Sequence, residues 1–206
     1  MADVVWAVRH GQRQDSVDPN WEEHADRVHD PALTELGRWA AWRVGRHFVE
    51  TDTTLDSVYA SPFLRTVETA EEICRETGNE VFLEPGLGEH RNAAWFDAEP
   101  ETVPQDELAD WFDPVRLDHD PRVHPDFPES HAEAMARAGE ATRRLADSVE
   151  GTVLLVGHGL TIGAVVQGLI GSAERADAPL CGLTRLHRGD GEWVLDFSGE
   201  TGHLDQ

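Results

Sequence analysis

The chain contains no lysine: all 17 of its basic residues are arginine, and 40 aspartates and glutamates outnumber them. The formal net charge of −23 repels polyanions, so neither nucleic acid nor an anionic membrane surface is an expected partner. The carboxylates are spread along the whole chain instead of forming one acidic tail. We therefore favour adaptation to high salt, where screening weakens the self-repulsion of a halophilic, acidic surface.

Cysteines and long apolar runs are also scarce. Cys74 and Cys181 lie far apart, so no CxxC metal or redox motif exists, and we expect free thiols in a reducing compartment. No run of about 18 or more apolar residues would form a transmembrane helix. The first residues, Met1 to Trp6, lack the basic and long apolar regions of a secretory signal. These absences predict a cytoplasmic protein.

The chain alternates strand patterns with helix patterns, which favours an α/β fold with a largely parallel sheet. Thr34 and Ser61 are predicted N-caps, and Pro62 is predicted at a first helical position. The unbroken apolar run from Thr152 to Val156 predicts a central strand buried on both faces. The predicted strands are 3–8, 55–60, 81–83, 152–156 and a hairpin of 182–187 with 192–198. The predicted helices are 35–49, 62–76, 130–148 and 161–170.

Two stretches lack this regularity. Residues 12–32 are polar and predict a long loop, and residues 84–128 contain seven prolines. Long irregular segments in compact domains commonly form lids or binding loops, so we expect one domain over residues 1–206 with a lid-like insertion around 84–128. Four aromatic residues of this stretch are candidates for lining a substrate pocket: Trp95, Phe96, Trp111 and Phe112. In irregular segments such residues more commonly anchor the loop to the core.

Arginines and histidines follow the predicted strands. Arg9 and His10 end the first strand, Arg65 lies just after the second, and His158 follows the central one. Ligands of open α/β sheets bind beyond the carboxyl ends of the strands, so these side chains are expected to converge. Arginine matches phosphate oxygens, a neutral imidazole can attack phosphorus, and a second, protonated imidazole would stabilise the transferring group.

Each of these residues also has an alternative explanation. Arg9 and His10 could be a strand-end pair satisfied by surface carboxylates, and His158 could be a packed histidine at a helix start. Arg65 could pair with Glu68 at the i+3 spacing of a helix. The joint occurrence of these residues at strand ends favours phosphate chemistry.

Five ordered segments resemble the histidine phosphatase superfamily, which includes cofactor-dependent phosphoglycerate mutases and many phosphatases. Val8-Arg9-His10-Gly11 resembles its Arg-His-Gly signature, and Leu33-Thr34-Glu35-Leu36-Gly37 is similar to its Leu-Thr-x-x-Gly segment. The other three resemble the segments of the second arginine, the proton donor and the second histidine: Tyr59 to Ala70, Leu87-Gly88-Glu89-His90 and Val156-Gly157-His158-Gly159.

The resemblance implies a three-layer α/β/α sandwich of the phosphoglycerate mutase-like type. His10 would be the nucleophile that becomes phosphohistidine, and Arg9, Arg65 and His158 would complete the phosphate pocket. Glu89 would protonate the leaving oxygen and then deprotonate the attacking water. No metal and no cofactor are implied, and the enzyme would be a metal-independent phosphohydrolase of the histidine acid phosphatase type.

One departure from the mutases favours a phosphatase. Mutases usually follow Arg-His-Gly with Glu and a later Trp-Asn pair, whereas this chain continues Gln12-Arg13-Gln14-Asp15. This pattern looks more like the Sts-type and ecdysteroid-phosphate phosphatases, in which an arginine at the position of Arg13 also faces the phosphate. The expected partner is a small phosphorylated substrate. Phosphoglycerate mutase-type transfer and a non-catalytic phospho-ligand binding protein stay open as alternatives, and so does the oligomeric state, a homodimer included.

Glu89 is less distinctive than the histidines and arginines. In a chain with 40 carboxylates a single glutamate is usually a solvated surface group, and Glu84 is a nearby rival for the role of proton donor. Four residues of the irregular stretch have metal-ligand side chains, but their spacing favours solvated groups: His119, Asp120, His124 and Asp126.

Overall fold

A seven-stranded sheet forms the centre of the computed structural model, which describes residues 1–205. Its spatial order is β4-β3-β2-β5-β1-β6-β7. The first five strands in this order are mutually parallel, and β6 and β7 add an antiparallel hairpin at one edge. The strands are β1 (Ala2–Arg9), β2 (Ser57–Ala60), β3 (Val81–Leu83), β4 (Val115–Arg116), β5 (Gly151–Gly157), β6 (Leu183–Gly189) and β7 (Glu192–Glu200).

The central position predicted for the 152–156 run is confirmed, because β5 pairs in parallel with β1 on one side and β2 on the other. Val153 to Val156 are all buried, as expected for a strand covered by helices on both faces. The hairpin is also confirmed. Asp190 and Gly191 join β6 to β7 with φ values of 51° and 87°, the pair of positive values that a type I′ turn requires.

Helices cover both faces of the sheet and confirm the three-layer architecture. On one face, Phe48 of α2 and Val67 of α3 share a core with Trp6 of the sheet. On the other, Leu145 of α5 and Val165 of α6 share a core with sheet residues that include Val5 and Ala7. The helices are α1 (Trp21–His24), α2 (Glu35–Glu50), α3 (Leu64–Thr77), α4 (Gln105–Trp111), α5 (His131–Ser148) and α6 (Gly159–Ile170). Among residues 1–205, no helix combines the length and the apolarity that crossing a bilayer would require.

Of the two predicted N-caps, Thr34 is confirmed and Ser61 is wrong. The Thr34 side chain caps α2 by accepting a hydrogen bond from the Gly37 N–H at 3.0 Å, as predicted. Ser61 does not cap a helix and Pro62 is not a first helical position, because α3 begins at Leu64. The Ser61 hydroxyl instead forms a hydrogen bond with His158, which follows β5. The side chain that resembled a helix cap therefore connects two strand ends.

The two stretches predicted to be irregular contain regular elements. Residues 12–32 hold a 3₁₀ turn and the short α1, and residues 84–128 hold a 3₁₀ turn, α4 and β4. α4 is a seven-residue helix between prolines whose Leu108 is buried, and β4 extends the sheet by pairing with β3. Elements this short carry too few repeats for a periodic pattern to be recognised.

Candidate active site

The side chains predicted to converge do meet at the carboxyl ends of β1 and β5. The rings of His10 and His158 lie edge to face with centroids 5.5 Å apart. The Glu89 Oε2 atom is 3.3 Å from both Arg65 Nη2 and His158 Nδ1. The parallel pairing of β1, β5 and β2 produces this meeting point, since each strand delivers its following residues to one edge.

His10 is held in a form suited to nucleophilic attack. Its Nδ1 lies 2.8 Å from the Gly11 carbonyl oxygen, which can only accept, so Nδ1 carries the proton and Nε2 keeps a lone pair. The ring is 1 % exposed. Burial and the positive charge of Arg65 lower the pKa of His10 well below its usual value. The imidazole is therefore neutral at neutral pH, which a nucleophile requires.

The chain behind His10 is fixed by close backbone packing. A Cβ on Gly11 would lie 2.5 Å from the Gly37 carbonyl oxygen, and a Cβ on Gly37 would lie 2.3 Å from the Gln12 carbonyl oxygen. The Thr34 hydroxyl also donates to the Gln12 side-chain oxygen at 2.9 Å. These contacts explain why a Leu-Thr-x-x-Gly segment accompanies the Arg-His-Gly run: the start of α2 supports the nucleophile loop.

His158 is fully buried, and burial lowers its pKa to about 4 against the opposing effect of Glu89. Its Nε2 lies 2.9 Å from the Ser61 hydroxyl, and its backbone N–H donates to Thr161. This burial disfavours the protonated ring in the unliganded site, and the expectation of a protonated second imidazole during phosphoryl transfer stays a prediction. A phosphate dianion beside the ring would favour the protonated form again, since opposite charge raises the pKa of a histidine.

Glu89 lies in the site, and its rival Glu84 does not line it. Burial alone would raise the pKa of Glu89, but His158, Arg65 and the His90 N–H together hold it well below its usual value. Glu84 is fully buried elsewhere and accepts hydrogen bonds from His119 Nε2 and from backbone N–H groups that include Arg122. Glu84 therefore anchors the following segment, and the expectation that His119 is solvated is wrong.

Two arginines present unpaired donors at the site. The Nε atoms of Arg9 and Arg65 are buried without a hydrogen-bond partner, and so is Nδ1 of His158. Arg65 does not pair with Glu68, whose carboxylate binds Arg38 and the Leu33 N–H instead. Because buried polar groups are normally satisfied and both arginines line one cavity, these donors are available to an anion bound there.

Arg13 lines the same cavity, but its guanidinium faces a partner of its own. Its Nε and Nη2 donate to the two carboxylate oxygens of Asp15, both at 2.9 Å. Arg13 is 33 % exposed in its side chain and thus lies at the outer part of the site, in contrast to Arg65 at 2 %.

A buried ion pair supports the Glu89 loop, and sequence reasoning missed it. Arg137 of α5 donates to the carbonyl oxygens of Gly86, Gly88 and Glu89 at 2.8, 3.2 and 3.2 Å. The same guanidinium forms two hydrogen bonds with Glu129. An arginine in an Ala-, Glu- and Arg-rich helix gave no signal that it is buried.

A cavity of about 890 Å³ is lined by Arg9, Arg65 and Glu89 among other residues. Trp95 and Phe96 line it, but they differ: Phe96 is 8 % exposed and packs on His29, whereas Trp95 remains 58 % exposed. Phe112 packs on the core near α4, and Trp111 is exposed. Phe96 and Phe112 therefore anchor their segment to the rest of the fold, whereas Trp95 and Trp111 stay exposed.

The site also contains metal-ligand side chains. His10, Glu89 and His158 offer ligand atoms within 4.8 Å of one another, a combination found at no other place in residues 1–205. Arg65 contacts the same carboxylate, and its fixed positive charge opposes binding of a divalent cation. An anion fits this charge arrangement better than a cation does.

Comparison with known proteins agrees with the geometry. The family model of the histidine phosphatase superfamily (branch 1) matches residues 5–201. The chain is 29 % identical over 186 residues to the ecdysteroid-phosphate phosphatase of Drosophila melanogaster, covering 81 % of this chain but only 24 % of the length of the fly protein. It is 28 % identical over 220 residues to the probable phosphoglycerate mutase GpmB of Erwinia tasmaniensis, covering 98 % and 94 % of the two chains.

Solved structures show the same similarity. The ecdysone phosphate phosphatase of Bombix mori in complex with tungstate superposes with a TM-score of 0.81 at 25 % identity, over 94 % of this chain and 91 % of that one. A phosphoserine phosphatase of Entamoeba histolytica, at 21 % identity and a TM-score of 0.67, shares the fold. The family match over nearly the whole chain, together with the paired histidines and arginines, shows that the chain is an enzyme of the histidine phosphatase superfamily, branch 1.

Proposed function

We propose that the protein hydrolyses phosphomonoesters through a phosphohistidine intermediate on His10. The observation that carries the proposal is the state of His10: a buried, neutral imidazole with Nδ1 bound to a carbonyl and Nε2 free, flanked by unpaired guanidinium donors. Arg9, Arg65 and His158 would bind the phosphoryl oxygens. Arg13 would join them only after leaving Asp15.

In the first step the Nε2 lone pair of His10 attacks phosphorus, and the bond from phosphorus to the ester oxygen breaks. Glu89 delivers a proton to that oxygen, so the alcohol leaves neutral. The low pKa of free Glu89 means that this proton arrives with the substrate, as a phosphate monoanion whose charge raises the pKa of the carboxyl once bound.

In the second step a water molecule attacks the phosphorus of phosphohistidine while Glu89, now a carboxylate, takes a proton from the water. The N–P bond breaks, its electron pair returns to Nε2, and inorganic phosphate is released. The Gly11 carbonyl holds the Nδ1 proton throughout, which stabilises the cationic ring of the intermediate.

Three further features belong to this proposal. The reaction needs no metal, because the guanidiniums and His158 neutralise the phosphoryl charge. The segment 84–128 acts as a partial lid of a single domain, since Trp95 and Phe96 line the cavity. The acidic surface suits a cytoplasm of high salt concentration.

Turnover of 4-nitrophenyl phosphate by His10→Ala tests the proposal, with exposed His24→Ala as the matched control. We expect loss of about 10³-fold or more in kcat for His10→Ala, none for the control, and no effect of a chelator on the wild type. Unchanged turnover in His10→Ala would overturn the proposal. Bisphosphoglycerate-dependent isomerisation without hydrolysis would favour the mutase, which the GpmB similarity keeps as the second candidate.

A further inference from the structure

The cavity is much larger than a phosphate group needs. Its volume of about 890 Å³ approaches the upper end of the range found for pockets that enclose drug-sized ligands. A three-carbon phosphorylated acid would leave most of that volume unfilled. The alcohol part of a substrate that fits the cavity is therefore bulky.

Apolar side chains form much of the cavity wall. Trp95 offers a ring that stays 58 % exposed, so a ligand could bury apolar surface against it. Gly163 of α6 faces the cavity opposite Met135 of α5, with nothing closer than 3.6 Å to the place of a Cβ. The other apolar wall residues are Val28, Pro31, Phe96 and Leu160, with small residues at Ala173, Ala176 and Ala178.

The charges beyond the phosphate end disfavour a second anion. Of the three arginines that line the cavity, Arg9 and Arg65 belong to the phosphate end. The third, Arg13, is neutralised by its two hydrogen bonds with Asp15, and Glu22 adds another carboxylate to the wall. A carboxylate or a second phosphate on the substrate would meet no unpaired guanidinium there. The imidazoles of this wall are His29, which packs on Phe96, His90, whose Nε2 bonds to the Glu129 carbonyl, and His131.

We propose that the natural substrate is the phosphate monoester of a bulky, mainly apolar alcohol that carries no second anionic group. This inference rests on the proposed phosphomonoester hydrolysis. It assigns specificity to the wall around Gly163 and Met135 and to the pairing of Arg13 with Asp15.

The test compares three esters of similar leaving-oxygen chemistry: 2-(1-naphthyl)ethyl phosphate, ethyl phosphate and 3-phosphoglycerate. We expect kcat/KM for the naphthylethyl ester to exceed that for ethyl phosphate by about 100-fold or more, because the naphthyl group buries its surface in the cavity. 3-Phosphoglycerate is expected to be no better than ethyl phosphate. Equal kcat/KM for the two alkyl esters, or a preference for 3-phosphoglycerate, overturns the inference.

Two variants test the two parts of the inference separately. Gly163→Leu places a side chain in the cavity and is expected to lower the naphthylethyl-to-ethyl ratio by about tenfold or more, while Gln167→Leu, exposed on the same helix, keeps the ratio. Asp15→Asn frees Arg13 and is expected to raise kcat/KM for 3-phosphoglycerate relative to ethyl phosphate. An unchanged ratio in Gly163→Leu contradicts the apolar wall, and an unchanged ratio in Asp15→Asn contradicts the charge argument.

The outcomes separate this inference from the function on which it rests. If 4-nitrophenyl phosphate and all three esters are left intact, phosphomonoester hydrolysis itself fails. If they are hydrolysed through His10 but without preference for the bulky ester, only the substrate class is wrong.

Discussion

Removal of the Arg137 guanidinium tests whether α5 positions the proton donor. Arg137→Met removes five hydrogen bonds: two to Glu129 and three to the carbonyls of Gly86, Gly88 and Glu89. Both charged side chains are at most 5 % exposed, so the carboxylate would be left buried without its ion-pair partner. Such a break typically costs about 3–5 kcal/mol of folding free energy.

For a chain of this length that loss corresponds to a fall in Tm of roughly 6–20 °C. The double variant Glu129→Gln with Arg137→Met is expected to recover part of the Tm, because no uncompensated charge remains. It still leaves the carbonyls of the Glu89 loop without their donor. Thermal unfolding followed by circular dichroism measures both changes.

Activity separates positioning from mere stability. A displaced Glu89 protonates the leaving oxygen poorly, so both variants are expected to lose about 10–100-fold in kcat/KM on an alkyl phosphate at a temperature where they are folded. Because kcat/KM reports only the phosphorylation step, and the leaving group of 4-nitrophenyl phosphate needs no proton in that step, the loss in kcat/KM on this ester is expected to be about threefold or less. An equal loss on both esters would refute a positioning role for Arg137.

Three further predictions follow from other parts of the structure. As pH falls from 6.5 towards 4, the unfolded chain binds a proton at His158 that the folded chain excludes. The free energy of unfolding, measured with urea, should therefore fall by up to about 1.4 kcal/mol per pH unit for this group. A His158→Gln variant whose free energy of unfolding has the same pH slope as the wild type would contradict this. Gly37→Ala should lower the free energy of unfolding by about 1–3 kcal/mol and also lower kcat, because its Cβ would lie 2.3 Å from the Gln12 carbonyl oxygen. The exposed Leu36→Ala should change neither quantity. A fully active Gly37→Ala would count against the claim that the start of α2 supports the loop of His10. The net charge of −23 predicts a higher Tm in molar potassium chloride than in low salt, and equal values would argue against salt adaptation.

The sequence predicted the meeting of His10, Arg65 and His158 because strand ends in a parallel sheet have a defined place. It predicted far less about which side chains form ion pairs and hydrogen bonds with one another. Glu84 and Glu89 are both glutamates in one short stretch, and only the fold shows that one accepts hydrogen bonds from His119 and backbone groups while the other meets Arg65. Partner choice of this kind depends on contacts between residues distant in the chain.

The protonation state of the second histidine could not be predicted from the sequence either. The burial that lowers the pKa of His158 to about 4 comes from neighbours distant in the chain such as Phe63, whose ring centroid lies 5.2 Å from that of the imidazole, and a residue pattern does not quantify it. Likewise, the motif around Arg13 indicated a phosphate contact, but the competing Asp15 lies two residues on and takes the guanidinium. Short elements such as α4 and β4 were missed because they have too few repeats.

The central claim is that His10 carries the phosphoryl group during turnover. Rapid acid-free quenching of the enzyme with a ³²P-labelled phosphomonoester, followed by peptide mapping, tests it directly. We expect an acid-labile, base-stable label on the peptide that contains His10, absent in His10→Ala and accumulating in Glu89→Gln with 4-nitrophenyl phosphate as substrate. Hydrolysis that proceeds without such a label, or a label on any other residue, would contradict the account.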